Sequence, residues 1–200
     1  MVYKLIELPY AYDALEPFCD TVTEKHPYDV HKAYVKALDK IEGYIARTIS
    51  RGNNSLIKHL ELELASRESR HLHSIFWQNI YPGGRRYVQG ILAEQVDNDF
   101  GSFENLKKQF TTTAVAVEGS GWTLLVWSPY FQELEILQAV ENQNPNQWGV
   151  IPLLIVNVLE QGYNQKYQNN RGSWVEAWWN LVNWEDVLRR FEECAKIYSD

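Results

Sequence analysis

Side chains able to hold a metal ion or attack an electrophile are few in this chain, with five histidines and two cysteines among 200 residues. The thiols offer little in combination. Cys19 and Cys194 lie near opposite ends and lack Cys-x-x-Cys spacing, so neither a disulfide framework nor a zinc knuckle is expected. Free thiols in a reducing compartment are the simplest reading. His26 and His73, each taken alone, read as ordinary surface or core histidines. Pro27 constrains the first of them: proline lacks an amide hydrogen and disfavours the α conformation in the residue before it. A helix through Lys25–Asp29 is therefore interrupted or begins there. The segment Val156-Asn157-Val158-Leu159-Glu160-Gln161-Gly162-Tyr163 carries two carboxamides, whose oxygens are neutral donors that add no negative charge to a site.

Composition limits what such groups serve. At 45% hydrophobic and 22% charged, the chain is globular and suits one ordinary domain or two small, intimately packed ones. Twelve Tyr, eight Trp and seven Phe promise a large apolar area, most of it in the core or an interface. A formal charge of −7 without any long run of Lys or Arg attracts a phosphate backbone poorly, so nucleic acid is not expected as a partner. Met1–Leu5 runs directly into Leu8-Pro9-Tyr10, with no room for a charged segment and an apolar segment of a signal peptide. No eighteen-residue apolar run follows. The expectation is a soluble protein, cytoplasmic or of the mitochondrial matrix, with no membrane association.

The elements that must position the chemistry fall into two halves. After a loop over Leu8–Pro17, Tyr34, Val35, Leu38, Ile41, Tyr44 and Ile45 recur at helical spacing. Arg51-Gly52-Asn53-Asn54-Ser55 breaks the pattern, and Leu56 onward to Ile75 and Trp77 reads as the returning arm of a helical hairpin. Tyr81-Pro82-Gly83-Gly84 is the clearest punctuation and sets expected domains at 1–82 and 83–200. Helical periodicity resumes from Val88, and Ser102 is the expected N-cap of a helix through Phe110. Trp122–Trp127, Leu134–Ala139 and Val150–Val156 are short β-compatible runs separated by turn formers, which predicts a three-stranded sheet. Gly172 and Ser173 precede a stretch beginning at Trp174, and Trp184–Ile197 completes a helical C-terminus. The fold class is α+β.

Several stretches together resemble the iron/manganese superoxide dismutases. Leu8–Pro17 is similar to that family's N-terminal signature, and His71–Trp77 to its His-x-Asn-His-Ser-x-Phe-Trp segment. Asp99–Phe103, Glu118–Trp122 and Asn180–Trp184 follow in order. The resemblance covers essentially the whole chain. It implies a helical hairpin followed by an α/β half with a three-stranded antiparallel sheet, usually in a homodimer.

The resemblance also implies where a site would lie. The family holds one redox metal with three His and one Asp, and His26 and His73 stand at two of those positions. Asn157 and Gln161 stand where the family's segment, Asp-Val-Trp-Glu-His-Ala-Tyr-Tyr, has its Asp and His ligands. Tyr34 matches the family's gateway tyrosine and Gln143 the glutamine that bonds metal-bound solvent in manganese-type members. Glu160 matches the glutamate that crosses the dimer interface. Val30, Leu159 and Asn164 replace the family's His, Trp and Tyr at neighbouring positions. The resulting expectation is a dismutase-like pseudoenzyme with a degenerate metal site, in a structural or binding role, as a homodimer or within a larger protein assembly. No cofactor is expected, or Mn or Fe if any metal binds. The alternative is a metal-dependent dismutase with an altered His/His/Asn/Gln sphere. A further reading places a small ligand beside Tyr34 and Trp122.

Overall fold

A computed structural model describes residues 10–11, 14–15, 71–85, 87–140, 149–158 and 166–197. Residues 71–79 are helical, and the chain then turns at Pro82 and Gly83. Helix α1 (Ile91–Phe100) follows, beginning after Gly90 rather than at Val88, because Gly90 adopts a positive φ of 61° outside the helical range. It ends at Gly101, whose φ of 78° lets its N–H reach the Asp97 carbonyl. Ser102 is extended and its side chain accepts from the Asn105 N–H at 3.2 Å, so it caps α2 (Phe103–Val115) as its residue type suggests. The helix continues beyond Phe110 because Ala114 adds a further turn to the buried stripe of Leu106 and Phe110.

Strands β1 (Gly121–Ser128), β2 (Glu133–Val140) and β3 (Ile151–Asn157) form an antiparallel sheet in the order β2-β1-β3. The central strand is buried at every position, which accounts for its unbroken apolar character rather than an alternating one. Gly121 begins it where a Cβ would lie 2.6 Å from the Ala139 carbonyl oxygen, so the close approach of β2 excludes a larger residue. Pro152 is accommodated because β3 is an edge strand. The β1–β3 register slips there, with Leu125 opposite Leu154 and Val126 opposite Pro152.

Helix α3 (Arg171–Trp178) takes in Gly172 and Ser173 as well as the stretch from Trp174. Asn170 is its cap, with the side-chain oxygen accepting from the Ser173 N–H at 3.0 Å. A single 3-10 turn (Trp179–Leu181) leads to α4 (Trp184–Ile197), whose bounds match the expected C-terminal helix. The turn at 81–84 is stitched to this region. Tyr81 N–H donates to the Leu181 carbonyl at 2.7 Å, and Arg85 N–H to the Val182 carbonyl at 3.1 Å. Asn183 caps the end of the 71–79 helix: its backbone N–H donates to the Asn79 carbonyl at 2.7 Å and its side chain to the Gln78 carbonyl at 3.0 Å.

The core joins these elements. Phe110 stacks on Trp178 with ring centroids 5.5 Å apart and planes 7° from parallel, and Trp179 stacks on Trp184 at 6.1 Å. Among the described residues, no helix is long and apolar enough to cross a membrane.

Candidate functional site

Two of the candidate site residues, His73 and Asn157, are described, and both lie at one end of the sheet. Trp122 and Asn157 are directly opposite in the β1–β3 pairing, so their side chains leave the same face. His73, from the 71–79 helix, sets its ring edge-on to Trp122 with centroids 4.6 Å apart, and Phe76 from the next turn meets the same indole at 6.2 Å. His73 and Asn157, distant in sequence, therefore lie around one tryptophan. Both have further interactions, and neither is isolated: His73 is half-buried and Asn157 only 9% exposed.

Asn157 is held by its backbone as well. Trp174 of α3 donates its indole N–H to the Asn157 carbonyl at 2.9 Å, while Val158 N–H donates to the Gly121 carbonyl at 3.0 Å. These bonds fix the strand end beside the start of β1. Arg171, at the start of α3, donates to the carbonyls of Val115, Val117 and Gly119, binding the turn that leads into β1. That clamp was not among the sequence expectations; an arginine at a helix start carries no signal of a carbonyl-rich loop folded over it. Trp174, too, drew attention only as part of an aromatic stretch.

His71 shares the helix of His73. Its pKa is lowered, first by desolvation and then by the positive charge of Arg190. The thiol of Cys194 is buried in α4 and its pKa raised, chiefly by desolvation, which keeps it in the unreactive thiol form.

His73 offers an imidazole nitrogen and Asn157 an amide oxygen. Such a pair suits a divalent cation and adds no negative charge to balance a trivalent one. Among the described residues no group of three or more His, Cys, Asp or Glu is arranged to hold a metal ion. His26, Tyr34, Gln143, Glu160 and Gln161 lie outside the described residues, as do Cys19, Pro27, Val30, Leu159 and Asn164.

Comparison with known proteins bears on the scaffold. Residues 2–81 match the alpha-hairpin domain of iron/manganese superoxide dismutases, and residues 88–190 match their C-terminal domain. The chain is 42% identical over 197 residues to a probable superoxide dismutase (Fe) of Bacillus subtilis, covering 98% of this chain and 70% of that protein. It is 40% identical to a superoxide dismutase (Mn/Fe) of Propionibacterium freudenreichii subsp. shermanii, covering 96% of this chain and 98% of that one. A superoxide dismutase (Mn/Fe) of Aeropyrum pernix is 37% identical, with 96% and 91% covered.

Proposed function

Because the chain belongs to the iron/manganese superoxide dismutase family, we propose that it is a metal-dependent superoxide dismutase of altered coordination sphere. Mn or Fe would be held by His26, His73, Asn157 and Gln161. The observation that carries this reading is the placement of His73 and Asn157 around Trp122, on a scaffold that matches the Propionibacterium freudenreichii protein named a superoxide dismutase over 98% of its length. The two halves are taken to divide at 1–82 and 83–200.

A bound Mn or Fe ion would supply the one-electron chemistry of dismutation by alternating between two oxidation states. The protein's part is positioning. Trp122 supports the His73 ring at its edge, Trp174 and Gly121 hold the strand end that bears Asn157, and the buried surroundings limit water. In this reading Tyr34 and Gln143 lie beside the metal, and Glu160 reaches across a homodimer interface to Gln161 of the second copy, in the cytoplasm. Two imidazoles and two amides fit a divalent ion. They stabilise a trivalent one less than a sphere with a carboxylate, so turnover is expected well below that of a carboxylate-bearing site.

Elemental analysis of the purified protein, together with a superoxide assay after loading with Mn or Fe, tests the proposal. One metal ion per chain with measurable turnover is the expected result. The double substitution Asn157→Asp/Gln161→His is expected to raise Mn(II) affinity and turnover at least about tenfold. No gain in either would sink the reading.

A second reading has its own support in the paired loss of charge and imidazole at Asn157 and Gln161, accompanied by Val30, Leu159 and Asn164. In it the chain keeps the scaffold without metal chemistry and serves a structural or binding role, as a homodimer or within a larger assembly. A well-folded dimer that takes up neither Mn nor Fe would favour it.

A further inference from the structure

The side chain that joins the two described halves of the candidate site is not one that faces a metal. Asn79 is wholly buried in the helix that carries His73. Its Nδ2 donates to the Leu153 carbonyl at 3.1 Å and to Asp186 Oδ2 at 2.9 Å, and its Oδ1 accepts from the Ile155 N–H at 3.0 Å. Both amide hydrogens are therefore engaged. Leu153 and Ile155 turn their backbone groups to the same edge of β3, the edge that faces away from β1. One carboxamide thus occupies the place that a peptide group of a neighbouring strand would take. Leu153 also sits at the register slip between β1 and β3, where the edge backbone most needs an external partner. The same strand ends at Asn157.

Ring contacts alone do not define that spacing. His73 and Phe76 touch Trp122 edge-on, and such contacts keep most of their energy when an element slides by a fraction of an ångström. Three hydrogen bonds from one rigid amide are directional and do not. We infer that Asn79 is a positioning residue, which sets the separation of His73 and Asn157 by tying the helix of one to the strand of the other. Its effect on a bound ion is exerted through those two residues, so this inference rests on the reading of them as metal donors given above.

Two substitutions separate positioning from mere stability. Asn79→Asp keeps the size and the acceptor for Ile155 but removes both donors and sets a carboxylate against Asp186. Asp186→Asn leaves the bonds of Asn79 to β3 intact while removing the charge that Arg189 and Arg190 share. In metal-free protein, the His73 ring resonances, shifted by the nearby Trp122, are expected to move in Asn79→Asp and to stay in place in Asp186→Asn, although both variants melt earlier. The Mn(II) dissociation constant, measured by chelator competition, is expected to rise about tenfold in Asn79→Asp and to change by less than about twofold in Asp186→Asn.

A folded Asn79→Asp protein with wild-type His73 resonances would overturn the inference. Should that variant not fold, Asn79→Gln makes the same comparison, since it keeps donors and acceptor on a longer arm. Wild-type protein that binds no Mn(II), with His73 resonances that still move in the variant, would refute the metal reading and leave the positioning role standing.

Discussion

The aromatic cluster of Phe110, Trp178, Trp179 and Trp184 and the polar joint at Asn79 are buried to similar depth, yet they hold their neighbours by different physics. In the cluster, rings meet at centroid distances from 5.0 to 6.1 Å and at angles from 7° to 68°. Many such arrangements are close in energy. The cluster even leaves the Trp178 indole N–H without an acceptor among the described residues. At Asn79 both donors are used and the oxygen is bonded, and Asp186 beyond it is bonded to Arg189 and Arg190. Arg190 then returns to Gln78, beside Asn79 in the same helix. Apolar burial supplies most of the stability, whereas the polar joint selects one relative placement of helix, strand and C-terminal helix.

The largest expected effect breaks the cluster. Trp178 is fully buried, and Trp178→Ala leaves a cavity beside Phe110 that costs about 4 kcal/mol, read as a lower midpoint in urea unfolding. Next comes Asn79→Leu, a change that keeps the bulk but strands the Leu153 carbonyl, the Ile155 N–H and one oxygen of Asp186. A loss of about 3 kcal/mol is expected from these groups together, measured the same way. The smallest effect is expected for Leu106→Met, a shape change in the fully buried stripe of α2 that costs about 1 kcal/mol. The comparison stands or falls on the last two. If Asn79→Leu proves as mild as Leu106→Met, the polar joint is no more exacting than an ordinary position of the apolar core.

Much of the scaffold was legible in local pattern. Two of the three apolar runs fall within strands and the third, Val150–Val156, starts one residue before β3, while Ser102 caps α2 and the final helix spans Trp184–Ile197. These features depend on neighbours within a few residues, where turn chemistry and periodicity act directly. The start of α3 is not legible from residue type, because Asn170, Gly172 and Ser173 are all acceptable near a helix start and the cap is decided by which side chain reaches a free N–H. His73 and Asn157 were singled out by their place in a family pattern rather than by spacing. Their meeting around Trp122 depends on strand register and on helix placement, which no local window contains.

By itself, then, the sequence determined the family, the three strands and the final helix among the described residues, and the presence of neutral amides at Asn157 and Gln161. Tertiary structure alone decided that Asn79 would bridge the edge of β3 to Asp186, that Arg171 would gather the carbonyls before β1, and that Trp174 would hold the backbone of Asn157. The physical reason is directionality over long sequence separation. Burial patterns are written residue by residue in hydrophobicity, but a buried hydrogen bond exists only when two remote groups arrive at the right distance and angle.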